Sequence, residues 1–241
     1  MNRTLIIAGL LVACITPALA QTDLWNQQVG VPQTNVVGGA NQVFTDLTTD
    51  STYMASNVDN VQAWNVSSIS IEILGNNPAI LTNLKSAELN IFADGSSSLP
   101  GTSDNPTNGT SVPVSITLLT ATGQNGYLVY QVTASSLNLS LASGDHWISL
   151  TPIGANSNIG QAFEALTTVN SAGALFQDAG INPSGGLGAG TNWQTAQNLY
   201  LESAPSYGGI DIKGSVQAVP APASLFALGL GVVGLAIRRR K

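Results

Sequence analysis

The chain is short of three chemistries: it holds one cysteine, one histidine and seven basic residues in 241. Cys14 lies within the first twenty residues. Cleavage after Ala20 leaves a chain without cysteine, which excludes disulfides and Cys-based metal sites from it. Its stability must then come from an ordinary core, and the roughly 200 residues between the two termini are enough for one. His146 is the sole histidine, so a nucleophilic triad has one candidate base. No serine stands in a nucleophile-elbow motif, and His146, beside Trp147 at the start of an apolar run, reads as structural. The basic residues sit at the ends: only Lys85 and Lys213 fall between residues 21 and 218, against all thirteen acids, a net charge of −11. Nucleic-acid binding needs clustered Lys and Arg, so it is excluded for this stretch. Such an acidic surface attracts cations or keeps the chain soluble by self-repulsion.

Both ends are distinctive. Met1-Asn2-Arg3 carries one positive side chain, Leu5 to Ile15 is apolar, and small residues stand at Ala18 and Ala20. This is the pattern of a secretory signal peptide, with Gln21 the first residue after the cut. Leu11-Val12-Ala13-Cys14 offers a competing reading, a lipoprotein signal in which Cys14 is lipidated. At the other end, Val219-Pro220-Ala221-Pro222-Ala223 precedes an uncharged apolar run to Ile237, followed by Arg238-Arg239-Arg240-Lys241. The prolines break regular structure and set an extended hinge. Ala223 to Ile237 spans about 22 Å as a helix, short for a hydrocarbon core of about 30 Å. The basic side chains extend its reach by snorkelling and place this end on the cytoplasmic side. The expectation is a signal peptide at 1–20, an exported domain at 21–218, and a tail at 219–241 with a single transmembrane helix.

Between the ends, period-two alternation dominates. Ile69, Ile71 and Ile73 alternate with Ser70 and Glu72, and Leu89 and Ile91 flank Asn90. Val112, Val114, Ile116 and Leu118 form a third run, Leu128, Tyr130 and Val132 a fourth, and Leu137, Leu139 and Leu141 a fifth. Further strands are expected at 146–150, 198–202 and 209–216, and strand or one short helix within 161–177. Such short alternating runs read as half-buried strands. Turn chemistry separates them at Gly75-Asn76-Asn77-Pro78, Gly123-Gln124-Asn125-Gly126 and Ser143-Gly144-Asp145. Eight to ten strands so spaced predict an all-β protein, an antiparallel sandwich of jelly-roll or immunoglobulin-like type.

The order of hinge, short apolar helix and arginine cluster over the last 23 residues resembles the PEP-CTERM sorting signal of Gram-negative bacteria. The usual Val-Pro-Glu-Pro-Ala stands here as Val219-Pro220-Ala221-Pro222-Ala223, with Ala221 in place of the glutamate. The resemblance implies that an exosortase, a membrane peptidase or transpeptidase, reads the tail. It also implies transient anchoring in the inner membrane, removal of the tail, and a final place at the cell surface or outside the cell. A looser resemblance, to uncharacterised β-sandwich domains carried by such tails, rests on Phe44, Tyr53 to Val58, Trp64 to Ile69, and Asn90 to Asp94 with Leu99-Pro100-Gly101.

Candidate chemistry in the body is sparse. Gly229-Leu230-Gly231-Val232-Val233-Gly234 fits a dinucleotide fingerprint but sits in the apolar tail with no βαβ unit around it, so it is rejected. Glu72, Glu88, Glu164 and Glu202 are available for paired-carboxylate hydrolysis, with Glu72 and Glu88 expected to face solvent. Asp94 with Asp104, or Asp59 with Asp46 and Asp50, offers oxygens to Ca²⁺ without forming a Ca²⁺-loop motif; no other cofactor is expected. Trp25, Trp64, Trp147 and Trp193 read as core packing or as a sugar-stacking platform. The leading expectation is a non-enzymatic surface or matrix protein associated with exopolysaccharide or biofilm; the rival is a carbohydrate-binding module that uses exposed tryptophans, with or without Ca²⁺.

Overall fold

A computed structural model describes residues 21–27, 29, 37–92, 98–101, 104–120, 126–185, 190–200 and 204–217. The signal positions Cys14, Ala18 and Ala20, the tail 219–241, Asp94 and Glu202 lie outside the described residues. Among the described residues no helix is long and apolar enough to cross a membrane.

The fold is an antiparallel β-sandwich. In chain order the described strands are β1 (Thr22–Gln27), β2 (Val37–Ala40), β3 (Val43–Phe44), β4 (Tyr53–Asn60), β5 (Trp64–Gly75), β6 (Ser86–Phe92), β7 (Thr110–Thr120) and β8 (Leu128–Ala134). There follow β9 (Leu139–Leu141), β10 (Gly144–Gly154), β11 (Ala162–Thr167), β12 (Ala179–Ile181), β13 (Gln194–Thr195), β14 (Tyr207–Gly208) and β15 (Ile210–Val216). The hydrogen-bonded path runs β1-β15-β5-β8-β7-β6-β10-β4-β12-β13, with β2, β11 and β14 forming a flap that joins β5 through β11. Only the short β3–β10 contact is parallel among the pairings described. One layer is β1-β15-β5-β8, the other β6-β10-β4-β12-β13, and β7 belongs to both.

The reason lies in β7 itself. Residues 110–113 pair with β6, and residues 114–120 pair with β8. Pro113 stands at the switch, where it faces β6 but has no ladder partner on the β8 side, so its missing N–H breaks no bond there. Pro152 of β10 is placed in the same way: β4 pairs with residues 144–148 of that strand and leaves Pro152 open on that side. Proline therefore marks where a strand changes neighbours rather than where it ends.

The core is what the alternation predicts. Ile69, Ile71 and Ile73 of β5, Ile210 and Ile212 of β15, and Tyr130 and Val132 of β8 face Val58 of β4, Ala87 and Leu89 of β6, and Ile148 and Leu150 of β10 in one cluster. Complete burial of each such side chain stabilises the fold by about 1.5–3 kcal/mol.

Some expectations need correction, and one left open between strand and helix is decided. Residues 198–200, the described part of the strand expected at 198–202, are helical instead, within a short helix at Ala196–Tyr200, started by Thr195, whose Oγ1 accepts from Asn198 N at 3.3 Å, the usual N-cap contact. Residues 162–167 of the ambiguous stretch are strand, as β11. Glu72 and Glu88 do not face solvent; both are buried. Glu88 Oε1 accepts from Gly109 N at 3.0 Å, and desolvation pushes its carboxyl up. The count of eight to ten strands also falls short, because β1 to β4 and the short β12 to β14 carry weak alternation.

Candidate functional site

The strongest electrostatic feature is a pair of acids under the β11 flap. Glu164 lies mid-way along β11 and Asp178 immediately precedes β12; each is 2% exposed. Ser56, from β4, stands between them, its Oγ 2.9 Å from Asp178 Oδ2 and 3.4 Å from Glu164 Oε1. Asn41 Nδ2 donates to Glu164 Oε2 at 2.8 Å, and Asn41 Oδ1 accepts from Met54 N at 3.2 Å. Gly208 N, on β14, donates to Asp178 Oδ2 at 2.8 Å. No lysine or arginine bridges to either acid among the described residues.

The hydrogen-bond count favours one shared charge over two. Ser56 has one proton to give, and Asp178 Oδ2 takes it together with that of Gly208. Glu164 Oε1, 3.4 Å from Ser56 Oγ, then lacks a donor, an arrangement that favours the protonated form of this carboxyl. The chain Glu164–Ser56–Asp178 satisfies every member while at most one acid is charged. Desolvation raises the Glu164 carboxyl well above its ordinary range, and the Asp178 charge raises it further. Desolvation also lifts Asp178, to about 7, against the opposing pull of Ser56 and Gly208. This is the usual behaviour of two carboxyls sharing a dry site. Both carboxyls are sealed from solvent.

A second polar assembly is open. On the outer face of the first layer, Lys213 of β15 is in register with Ser68 of β5, and Asp211 with Ser70. Ser70 is in register with Thr133 of β8, their hydroxyls 2.9 Å apart. With Gln21, Ser135 and Ser136 these residues line a groove of about 560 Å³. Lys213 Nζ lies 3.1 Å from Asp23 Oδ1 and 3.4 Å from Asp211 Oδ2. Asp211 is 6% exposed, and its Oδ1 has no hydrogen-bond partner. Desolvation raises its carboxyl, partly offset by Lys213.

The other sequence candidates disperse. All four tryptophans are buried, none more than 8% exposed, so the exposed-tryptophan platform is corrected: their area is spent on packing. Trp147 stacks on Phe176 at 6.4 Å, and Trp193 meets Phe92 edge-on at 5.7 Å. Trp193 Nε1 also donates to Asp104 O at 2.8 Å, while Asp104 Oδ2 accepts from Gly101 N. Asp46 caps the short helix Asn156–Ile159 through Asn156 N at 2.8 Å and Ser157 N at 3.1 Å. Asp59 instead faces Asp145 across the β4–β10 ladder. Hence Asp46, Asp50 and Asp59 do not converge, and among the described residues no three His, Cys, Asp or Glu side chains cluster as a metal centre. His146 is buried, with Nε2 2.9 Å from Ala142 O. Asp178, the acid that sequence reasoning missed, had a legible signal: like Glu164 in Ala162-Phe163-Glu164-Ala165-Leu166, it borders an apolar run, Ala179-Gly180-Ile181.

The described residues thus form a closed antiparallel β-sandwich within an acidic chain. A family model, the PEP-CTERM protein-sorting motif, matches residues 218–241. The chain therefore carries a PEP-CTERM signal, and Ala221 in the glutamate position does not abolish the match. The motif marks an exported protein processed by an exosortase and sorted toward the cell surface. No curated protein matches the chain.

Proposed function

We propose that this protein is a non-enzymatic component of the cell surface or extracellular matrix, held briefly in the inner membrane by residues 219–241 and then released by an exosortase into contact with exopolysaccharide. The sorting motif at 218–241 carries the reading. Two features of the body support it. The buried acid pair, Glu164 and Asp178, is sealed from solvent, and His146 Nε2 lies 2.9 Å from a backbone carbonyl. A net charge of −11 between residues 21 and 218 keeps such a protein soluble outside the cell.

Fractionation of producing cells tests this. In cells with the exosortase, the protein is expected in the extracellular polymer fraction. In cells lacking that enzyme it is expected in the inner membrane with its tail intact. Retention in the inner membrane in both strains contradicts the proposal.

A further inference from the structure

We propose that the groove on the outer face of β15, β5 and β8 binds a neutral saccharide chain through hydrogen bonds, without aromatic stacking. The inference rests on the surface or matrix reading above and names the chemistry by which the body would meet a polysaccharide.

The lining fits that ligand class. Ser135 and Ser136 present exposed hydroxyls beside the buried Ser68 and the mutually bonded Ser70 and Thr133, and a hydroxyl offers one donor and two acceptors. A sugar ring carries the same groups, and each must be paired once it leaves water. The strand register sets the spacing: Ser68 and Ser70 project two residues apart on β5, and Thr133 lies directly across from Ser70. The volume, about 560 Å³, falls within the roughly 300–1,000 Å³ of small-ligand sites.

A second observation points to a ligand hydroxyl. Asp211 is more than nine-tenths buried at the groove wall, and its Oδ1 accepts nothing. An unpaired buried carboxylate oxygen is costly, so a turn of the Asp211 side chain that brings Oδ1 to a donor in the groove gains a charge-assisted bond. The groove's own cation does not fill this role, because the contact from Lys213 goes to Asp211 Oδ2 and is shared with Asp23. That sharing also sets the ligand's charge. Two carboxylates surround one ammonium, so an anionic uronate or phosphate meets net repulsion, whereas a neutral sugar meets none. With every tryptophan in the core, the affinity is weak, a dissociation constant on the order of 1 mM. Repeated sites along a polymer compensate for weak single contacts.

Titration calorimetry of the full-length chain in detergent, with hydrogen-exchange mapping, tests the assignment. The probes are neutral hexasaccharides of β-1,4-glucose, α-1,4-glucose and β-1,4-mannose, with hexagalacturonate as the charged counterpart. At least one neutral probe is expected to bind and to slow exchange in residues 67–70 and 131–136. Hexagalacturonate is expected to bind at least tenfold more weakly. Asp211→Asn is expected to weaken binding about tenfold, and Ser135→Ala, an exposed change that leaves the fold intact, about threefold. No binding by any neutral probe, protection elsewhere, or binding untouched by both substitutions overturns the proposal. A protein that fractionates with extracellular polymer yet leaves the groove empty overturns this site alone; one that binds the hexasaccharides but never leaves the inner membrane overturns the surface reading.

Discussion

Gly208→Ala is expected to destabilise the protein by about 4 kcal/mol, from roughly 1–3 for overpacking and a further 1.5–3 for disturbed hydrogen bonds to charged groups. A Cβ at this position would fall on Glu164 Oε1 and Asp178 Oδ2. These are side-chain ends, which elsewhere would swing aside. Here they are tied to Ser56, Asn41 and the Gly208 amide, and any swing strands a carboxyl in a dry site. Gly126→Ala is the contrast. Its Cβ meets nothing, but its φ of 80° is strained for alanine, at a cost of about 1–2 kcal/mol. Urea unfolding of both variants measures the gap. Equal losses would mean that the acid pair has room to move.

The second large effect is the dependence of stability on pH. Both acids of the pair titrate above their ordinary values of 4.5 and 3.8 in the folded chain, chiefly through desolvation. Between the ordinary and the raised values the folded state holds more protons than the unfolded chain, so stability falls as pH rises through that window. For Asp178 alone the rise from 3.8 to about 7 corresponds to about 4 kcal/mol, at about 1.4 kcal/mol per unit. Thermal melts are therefore expected to give a higher Tm near pH 5 than near pH 8. Glu164→Gln keeps the acceptor for Asn41 and a donor for Ser56 but removes one titrating group. It is expected to flatten the slope and to raise stability at pH 8 by about 2 kcal/mol. A slope unchanged by Glu164→Gln would assign the pH dependence to other groups, such as Asp211 or Asp145, whose carboxyls desolvation also raises.

The sandwich was legible because most of its long strands bury one face. In β5 the isoleucines at 69, 71 and 73 alternate with Ser70 and Glu72, and a period of two states which residues share a face. It does not state whether the second face is also covered. That is why Glu72, expected in solvent, is buried. Residues 198–200 are helical for a related reason: Leu199 and Leu201 alternate in sequence like a strand, but Thr195 had already begun a helix, and local capping outweighs so short a pattern.

The candidate site divides in the same way. The open groove was half-visible as the polar positions of β5, β8 and β15, although only the register shows that Asp211, Ser70 and Thr133 form one row. The acid pair was hidden, because Glu164 and Asp178 are fourteen positions apart and are brought together by strands that sequence reasoning did not pair. Four tryptophans offered a stacking platform by composition, but in a chain with few aromatics they are the largest side chains available to fill the core. The tail was the most legible part, since hinge, apolar run and arginine cluster each carry a physical reading without any fold, and the family match covers the same residues.

Intact-mass measurement of the protein released by its own cells tests the central claim, that the chain is exported and then cut at both ends. The expected mass lacks Met1–Ala20 and the C-terminal segment from the Val219–Ala223 hinge onward. A released protein that still ends in Arg238-Arg239-Arg240-Lys241 would contradict it.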